Sequence, residues 1–372
     1  MQRTSAREVR RFSSIHEIPE SVWDGLVAEE HPYHTHRLIR AVEDARVERS
    51  RFWYLLFYDG NRAVSSAVLS AFTVSLDLFL GPAFQKLAAI VRRRFPRFLR
   101  IDVLFCCLPA SFGQSNVIVR DGVLELLVRE MESIARESGL RFFCIKEFKK
   151  HELPRVALLE DLGFFRGSSI PYMSMDVRWQ TFDEYLGSLR HSYRRHIRRS
   201  LAKRATMRIV VGGAEVVSPR RFFELYCNVM ARSETKLEML NEAFFERLWI
   251  ELGAELQIIA AVDDDHVLGA ALLVKSGTTL NFMLVGLPGT RQTPNDVYFN
   301  LLYAIVEQAI RQRCERLNLG QTAYWGKQQI GGEAEEEFLF FKAANPSLHA
   351  LLRSLRRILF PRLKLQAARV FK

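Results

Sequence analysis

Apolar positions recur along this chain with two periods, and the way the periods alternate predicts a mixed set of helices and strands. In residues 34–45, Leu38, Ile39 and Val42 return at helical spacing and give a helix one apolar side. Residues 51–58 (RFWYLLFY) and 63–74 are aromatic and β-branched and flank the turn signal Asp59-Gly60-Asn61, which predicts a hairpin. Residues 102–108 (DVLFCCL) read as a buried strand, 123–138 as a helix stopped by Gly139, and 140–145 as another strand. A short helix at 153–162 ends at Gly163, and a strand at 172–177 closes this first set.

The second half follows the same order. Residues 219–233 and 241–252 predict helices. Strands at 256–262 and 267–275 are joined by the acidic turn Asp263-Asp264-Asp265-His266, and a third strand lies at 279–285. Residues 296–313 form a strongly periodic helix with Asn295 placed to cap it, followed by strands at 316–319 and 337–341. Each half thus reads helix, hairpin, strand, helix, strand, an architectural repeat without residue-level identity. The predicted class is α/β: a mixed-sheet unit over 1–178, a second over 179–346 that opens with a basic linker (179–208), and a basic amphipathic tail over 347–372.

Composition agrees with two cores. A chain of 372 residues exceeds the roughly 100–200 of one ordinary domain, and its 48% hydrophobic and 26% charged residues are globular values. No apolar run reaches the roughly 18–20 residues that span a bilayer, and the polar start lacks the apolar core of a secretory signal, so a cytoplasmic location is expected. Five scattered cysteines make neither a disulfide framework nor a zinc site and are read as buried thiols.

Net charge changes the picture more. At +11 the chain suits an anionic partner. Eight Lys or Arg and no acid lie between Arg190 and Arg208, and seven more with no acid between Ala350 and Lys372.

Three segments are candidates for chemistry. In the linker, Leu189, Tyr193, Ile197 and Leu201 form one apolar stripe, while Arg190, Arg194 and Arg198 form a second and Arg195 and Arg199 a third. A helix built this way rests its apolar edge on the protein and offers guanidinium forks to phosphate oxygens, or simply carries a solvated basic face. The loop 287–296 leads from a strand into a helix whose N-terminus could hold a pyrophosphate, or is an ordinary turn capped by Asn295. In 317–332 (LNLGQTAYWGKQQIGG), Tyr324 and Lys327 stand three apart, on one face if the segment is helical. They could orient a carbonyl or protonate a leaving group; otherwise Tyr324 and Trp325 pack and Lys327 is exposed. His31, His34 and His36 have no partner at ligand spacing, so no metal is expected. Nucleophile elbows, Walker-type loops and dinucleotide fingerprints are absent from the sequence, which disfavours hydrolases, nucleotide triphosphatases and dehydrogenases.

The segments YLGSLRHSYRRHIRRSLAKR, LNLGQTAYWGKQQIGG and HPYHTHRLIRAVEDA resemble, in the expected order from His31 to Gly332, Fem-like peptidoglycan-bridge transferases and their acetyltransferase relatives. The resemblance implies two tandem GNAT-like units that move an acyl or aminoacyl group onto an amine, with a cell-envelope precursor as acceptor. It implies acyl-CoA (acetyl-CoA in the simplest case) or charged tRNA as donor. By the match, Lys327 and Tyr324 fall in the active cleft as the catalytic candidates, and Arg194, Arg195 and Arg198 line the substrate entrance; Met283, Val285, Arg291 and Asn295, on the strand and loop before the helix, are the candidates to contact the donor. One departure stands out: the GNAT pyrophosphate loop Arg/Gln-x-x-Gly-x-Gly/Ala is missing after Val285, where Gly286-Leu-Pro-Gly-Thr-Arg291 stands in another order. A bound amine would attack the carbonyl directly, with backbone groups on the edge of strand 279–285 holding the carrier. The residues identify no general base.

Two further readings follow from the charge. A nucleic-acid-binding protein without catalysis would use both basic stretches on phosphates. A peripheral membrane protein would use the tail, where Leu351, Leu352, Leu355, Ile358 and Leu359 face one way before Pro361, flanked by Arg353, Arg356 and Arg357. The alternative for the tail is a helix docked on the second unit.

Overall fold

The apolar runs of the two halves build two seven-stranded mixed sheets in a computed structural model describing residues 6–28, 31–75, 87–88, 90–233, 239–290, 295–363 and 365–372. The first sheet runs β1 (Glu8–Phe12), β2 (Arg51–Asp59), β3 (Arg62–Ser75), β4 (Arg100–Cys106), β5 (Phe142–Lys149), β14 (Glu337–Ala343), β6 (Phe165–Ser168). The second runs β13 (Glu333–Glu335), β7 (Tyr172–Asp176), β12 (Arg316–Gly320), β11 (Thr279–Gly286), β10 (His266–Ser276), β9 (Leu256–Asp263), β8 (Arg208–Gly212). Neighbours are antiparallel except for one parallel pair in each sheet, β4 with β5 and β11 with β12.

The numbering exposes an exchange. The strand expected to close the first unit, β7, pairs with β12 and β13 in the second sheet, and β14 pairs with β5 and β6 in the first. The division at 178/179 is therefore replaced by an interleaved one. One compact unit holds Met1–Ser169, Thr235–Leu240 and Glu336–Leu363; the other holds Ile170–Glu234, Asn241–Glu335 and Lys364–Lys372. Both exchanged strands are apolar, so either would satisfy either sheet; their partners are set by contacts distant in sequence.

In the first unit the helix Val123–Ser138 lays Leu127, Met131 and Ile134 on Leu55, Leu69, Leu104 and Ile145, and it ends at Gly139 with φ +69. Each such buried aliphatic side chain contributes about 1.5–3 kcal/mol. On the other face, Val103, Cys144, Phe165, Leu339 and Phe341 are covered by Leu352 and Phe360. The tail helices Pro346–Ser354 and Arg356–Leu359 thus dock on the first unit's sheet, where the docked alternative had placed them on the second unit, because the exchange carries β14 there just before them. A Cβ on Gly167 would come within 2.9 Å of the Phe360 ring, so this docking needs glycine.

The second unit packs around the helix Val297–Arg311, whose Leu301, Leu302, Ile305 and Ala309 are buried against the sheet. The helices Pro219–Arg232 and Glu242–Leu252 are capped by Ser218 and Asn241 side chains. Cys106, Cys107, Cys144 and Cys314 are buried free thiols and Cys227 is half-buried. Among the described residues no helix is long and apolar enough to cross a membrane.

Candidate functional site

In the second sheet β11 and β12 are paired only from Thr279–Asn281 against Arg316–Asn318. Beyond that point Gly320 pairs with Met173 of β7, and β11 continues with β10 alone. The β10–β11 register opposes Leu284 to Leu272 but Phe282 to Leu273, so Met283 is a bulge. A bulge bends its strand and re-aims the local backbone. It falls on the stretch that has parted from β12, leaving the β11 edge from Phe282 to Gly286 unpaired with β12.

At the last paired step Asn318 Nδ2 donates to Asn281 Oδ1 (2.8 Å), and Asn281 Nδ2 donates to the Val274 carbonyl (3.2 Å). Asn318 Oδ1 is buried without a donor. These two asparagines were not foreseen, because alternation along a short strand does not show which position faces a fork.

Behind the fork lies the short helix Tyr324–Gln329, reached through Gly320 at φ +71. Lys327, exposed in the reading where Tyr324 and Trp325 merely pack, is only 4% exposed. Its ammonium donates to the Gln321 carbonyl at 2.6 Å and sits 5.8 Å from the centre of the Phe282 ring. No carboxylate forms an ion pair with it among the described residues. Burial without a counter-charge penalises the protonated amine and lowers its pKa to about 7. Gly326 is required beside it, since a Cβ there would lie 2.6 Å from the Tyr298 ring. The Tyr298 hydroxyl is itself buried with no partner. Tyr324 donates its hydroxyl to the Pro171 carbonyl (3.2 Å), and Gln321 Nε2 donates to the neighbouring Ile170 carbonyl (3.3 Å). Lys327 therefore holds the chain at Gln321, while Tyr324 and the Gln321 side chain hold the Ile170–Pro171 segment that leads into β7.

Of the expected donor contacts, Met283 and Val285 lie half-buried on the parted stretch of β11, and Arg291 lies outside the described residues. Asn295 does not cap the Val297–Arg311 helix. The N-cap is Asp296, in the left-handed region (φ 47), and its side chain makes no capping bond. Its carboxylate instead accepts from Ser200 Oγ (2.9 Å) and pairs with Lys203 (2.8 Å). Asn300 Nδ2 donates to the Asn295 and Ser200 carbonyls, while Arg204 Nε donates to Asn300 Oδ1 (2.7 Å). The linker helix thus occupies this helix start, where a free anion cradle was the expectation.

That linker helix, His191–Ala202, buries Ile197 and Ser200. Arg194, Arg195 and Arg198 come together with His191, Arg199 and Ala202 along a surface depression of about 340 Å³. At 100° per residue this stripe lies opposite Ile197 and Ser200 and faces outward. No hydrogen bond or ion pair joins the three arginines to Lys327 among the described residues. An indirect connection exists: the His196 ring meets Phe299 edge-on (5.4 Å), and Phe299 meets Trp325 (5.7 Å), two residues from Lys327.

Two of the N-terminal histidines, His34 and His36, are buried and bonded into the fold. His34 binds Ser66 Oγ at 2.9 Å and burial pushes it down to about 3, while His36 Nε2 lies against the Ile15 and Ile18 carbonyls. No cluster of side chains among the described residues has the make-up of a metal site.

Residues 89–355 match the FemAB-like family, described as peptidoglycan biosynthesis and recognition. The chain belongs to the FemAB-like family. Among solved structures it is similar to FemX, at 13% identity over 93% of this chain and 100% of that one with a TM-score of 0.59. The C-terminal domain of a putative lysylphosphatidylglycerol synthetase from Agrobacterium fabrum gives 12% identity, coverage of 92% and 98%, and a TM-score of 0.55. A tandem GNAT protein from the clavulanic acid pathway gives 11%, coverage of 91% and 99%, and 0.51. These likenesses establish a tandem GNAT fold, and with the family they place the chain among acyltransferases. A curated relative in Mycobacterium tuberculosis, a putative 8-amino-7-oxononanoate synthase 2, is 22% identical over 82% of this chain, which spans 41% of that protein's length.

Proposed function

We propose that the second unit transfers an acyl or aminoacyl group from an activated ester or thioester to an amine on a cell-envelope precursor. The observation that carries this reading is the fork between β11 and β12: a bulged strand edge stands beside a buried lysine that has no carboxylate. The donor carbonyl would lie along the parted edge of β11, where backbone N–H groups can take up charge developing on its oxygen. The acceptor nitrogen attacks the carbonyl carbon, the bond to the carrier breaks, and the nitrogen's proton passes to the leaving oxygen or sulfur. An amine titrating near 7 suits that relay, taking the proton in its neutral form and returning it in its charged form. Tyr324 holds the Pro171 segment and is a positioning residue in this scheme.

Among donors, the geometry favours aminoacyl-tRNA over acyl-CoA. A CoA pyrophosphate would need the start of the Val297–Arg311 helix, where the Asp296 carboxylate already stands. The outward arginine stripe of Arg194, Arg195 and Arg198 offers forks to a phosphate backbone or to a diphosphate on the acceptor. The test is single-turnover transfer with charged tRNA or acetyl-CoA as donor, read in the natural chain and in Lys327→Met. Transfer from charged tRNA that is lost in Lys327→Met supports the proposal. Transfer from acetyl-CoA alone overturns the donor choice, and undiminished transfer in Lys327→Met overturns the site. Salt-sensitive tRNA binding without transfer to any amine would favour the nucleic-acid-binding reading.

A further inference from the structure

We infer that the first unit carries a peripheral docking surface for anionic lipid, made from residues 87–88 and 90–98 together with the two tail helices. Its apolar part comprises Leu87, Ile90, Phe95 and Phe98 on one segment and Leu348, Leu351, Leu355 and Ile358 on the other. These side chains are open to solvent: Ile90 is 61% exposed, Phe95 63%, Leu351 54% and Ile358 69%. Helices that belonged wholly to the core would bury such residues. Here Leu352, Phe360 and the His349 ring turn inward, anchoring the tail on the sheet face that also carries Ile101 and Val103. The first segment runs straight into that same strand, β4.

The charge of both segments has one sign. Arg93, Arg94 and Arg97 are exposed on the first, Arg353, Arg356 and Arg357 on the second, and none of the six forms an ion pair among the described residues. No acid occurs between residues 78 and 101 or between 350 and 372. Exposed aliphatic groups set among unpaired arginines match a bilayer interface, where acyl chains take the apolar side chains and headgroup phosphates take the guanidinium groups. The aliphatic Leu and Ile side chains have no use for a nucleic-acid backbone, which separates this surface from the linker helix. With no spanning helix among the described residues, the contact is one that lies on the membrane.

The experiment is flotation of the full chain with vesicles of phosphatidylcholine containing about one third phosphatidylglycerol, against phosphatidylcholine alone. Binding to the anionic vesicles that weakens as salt rises is the expected result. The pairs Leu351→Ser with Ile358→Ser, and Ile90→Ser with Phe95→Ser, should each lower it about tenfold or more. Arg356→Gln with Arg357→Gln should lower it on anionic vesicles only. All six positions are exposed, so unchanged melting temperatures accompany these losses. No binding to anionic vesicles overturns the inference. So does binding that ignores both apolar pairs, or arginine variants that weaken tRNA binding and leave vesicle binding intact. The readout involves no catalysis, so its failure leaves the transfer assignment standing.

Discussion

Both sheets contain the same fork, and the two forks are filled in opposite ways. In the first unit β4 and β5 pair from Val103–Cys106 against Phe142–Ile145, after which β5 continues beside β14. At that point stands Glu147, 2% exposed and with φ 70. Its carboxylate accepts from Ser111 Oγ, from the Gln114 backbone N–H (3.0 Å) and from Lys146 Nζ (2.8 Å). Asn116 extends the same plug, accepting from the Leu108 backbone and donating to the Tyr33 carbonyl. The first fork is neutral and tied to the loop that follows β4. The second holds a cation with no acid and a strand edge unpaired with β12. One module ties the opening to a loop through a carboxylate, and the other holds a buried amine there with no carboxylate partner among the described residues. The difference supports assigning transfer to the second unit.

The comparison breaks most visibly at the joint. Glu147→Ala should destabilise the chain by about 3–5 kcal/mol, since it removes the buried carboxylate that pairs with the Lys146 ammonium and accepts from the Gln114 N–H, and chemical denaturation will read it. Transfer by the fraction that remains folded should be nearly unchanged; a collapse of turnover in folded protein would place chemistry in the first unit as well. Next in size is Lys327→Met, with transfer falling about 100-fold or more under single-turnover conditions. Lys146→Met, its counterpart, should leave the rate within a few-fold, and equal losses would erase the distinction.

A third effect is on stability alone. Lys327 has a folded pKa near 7, below its unfolded value, so between about 7 and about 10 the unfolded state binds the extra proton. Stability attributable to this group therefore rises with pH across that window, by at most about 1.4 kcal/mol per pH unit, and is lowest below pH 7. Denaturant midpoints for the natural chain should climb relative to Lys327→Met from pH 7 to pH 9; parallel curves would mean the amine is not desolvated. Smallest is Tyr324→Phe, which loses one hydrogen bond to the Pro171 carbonyl. A stability loss of about 0.5–1.5 kcal/mol and a rate change under about tenfold are expected, whereas a loss matching that of Lys327→Met would make the phenol a participant in proton transfer.

Much of the secondary structure was legible because periodicity is local. The helix over Val123–Ser138 and its glycine stop, the hairpin of β2 and β3, and the apolar side of the linker helix follow from spacing and turn chemistry alone. Strands β1, β6, β8 and β13 were missed: they are short, and β1 and β13 are too polar to show an apolar period. Asn295 was misplaced by one position as a cap because helix ends are the least determined part of a periodic signal. The candidate site was legible in part. Tyr324 and Lys327 could be singled out by type and spacing, whereas Asn281, Asn318 and Tyr298 carry no mark until the fork is seen.

By itself, then, the order of residues determined which stretches are helices or strands, which sides are apolar, and where positive charge gathers, since each depends on neighbours a few positions away. Tertiary structure alone decided that β7 and β14 change places, that the two tail helices lie on the first sheet, and that Lys327 is sealed from water while Lys146 meets a carboxylate. Those outcomes depend on which distant segments come to lie side by side, and the proposed chemistry rests on the desolvation or pairing that follows.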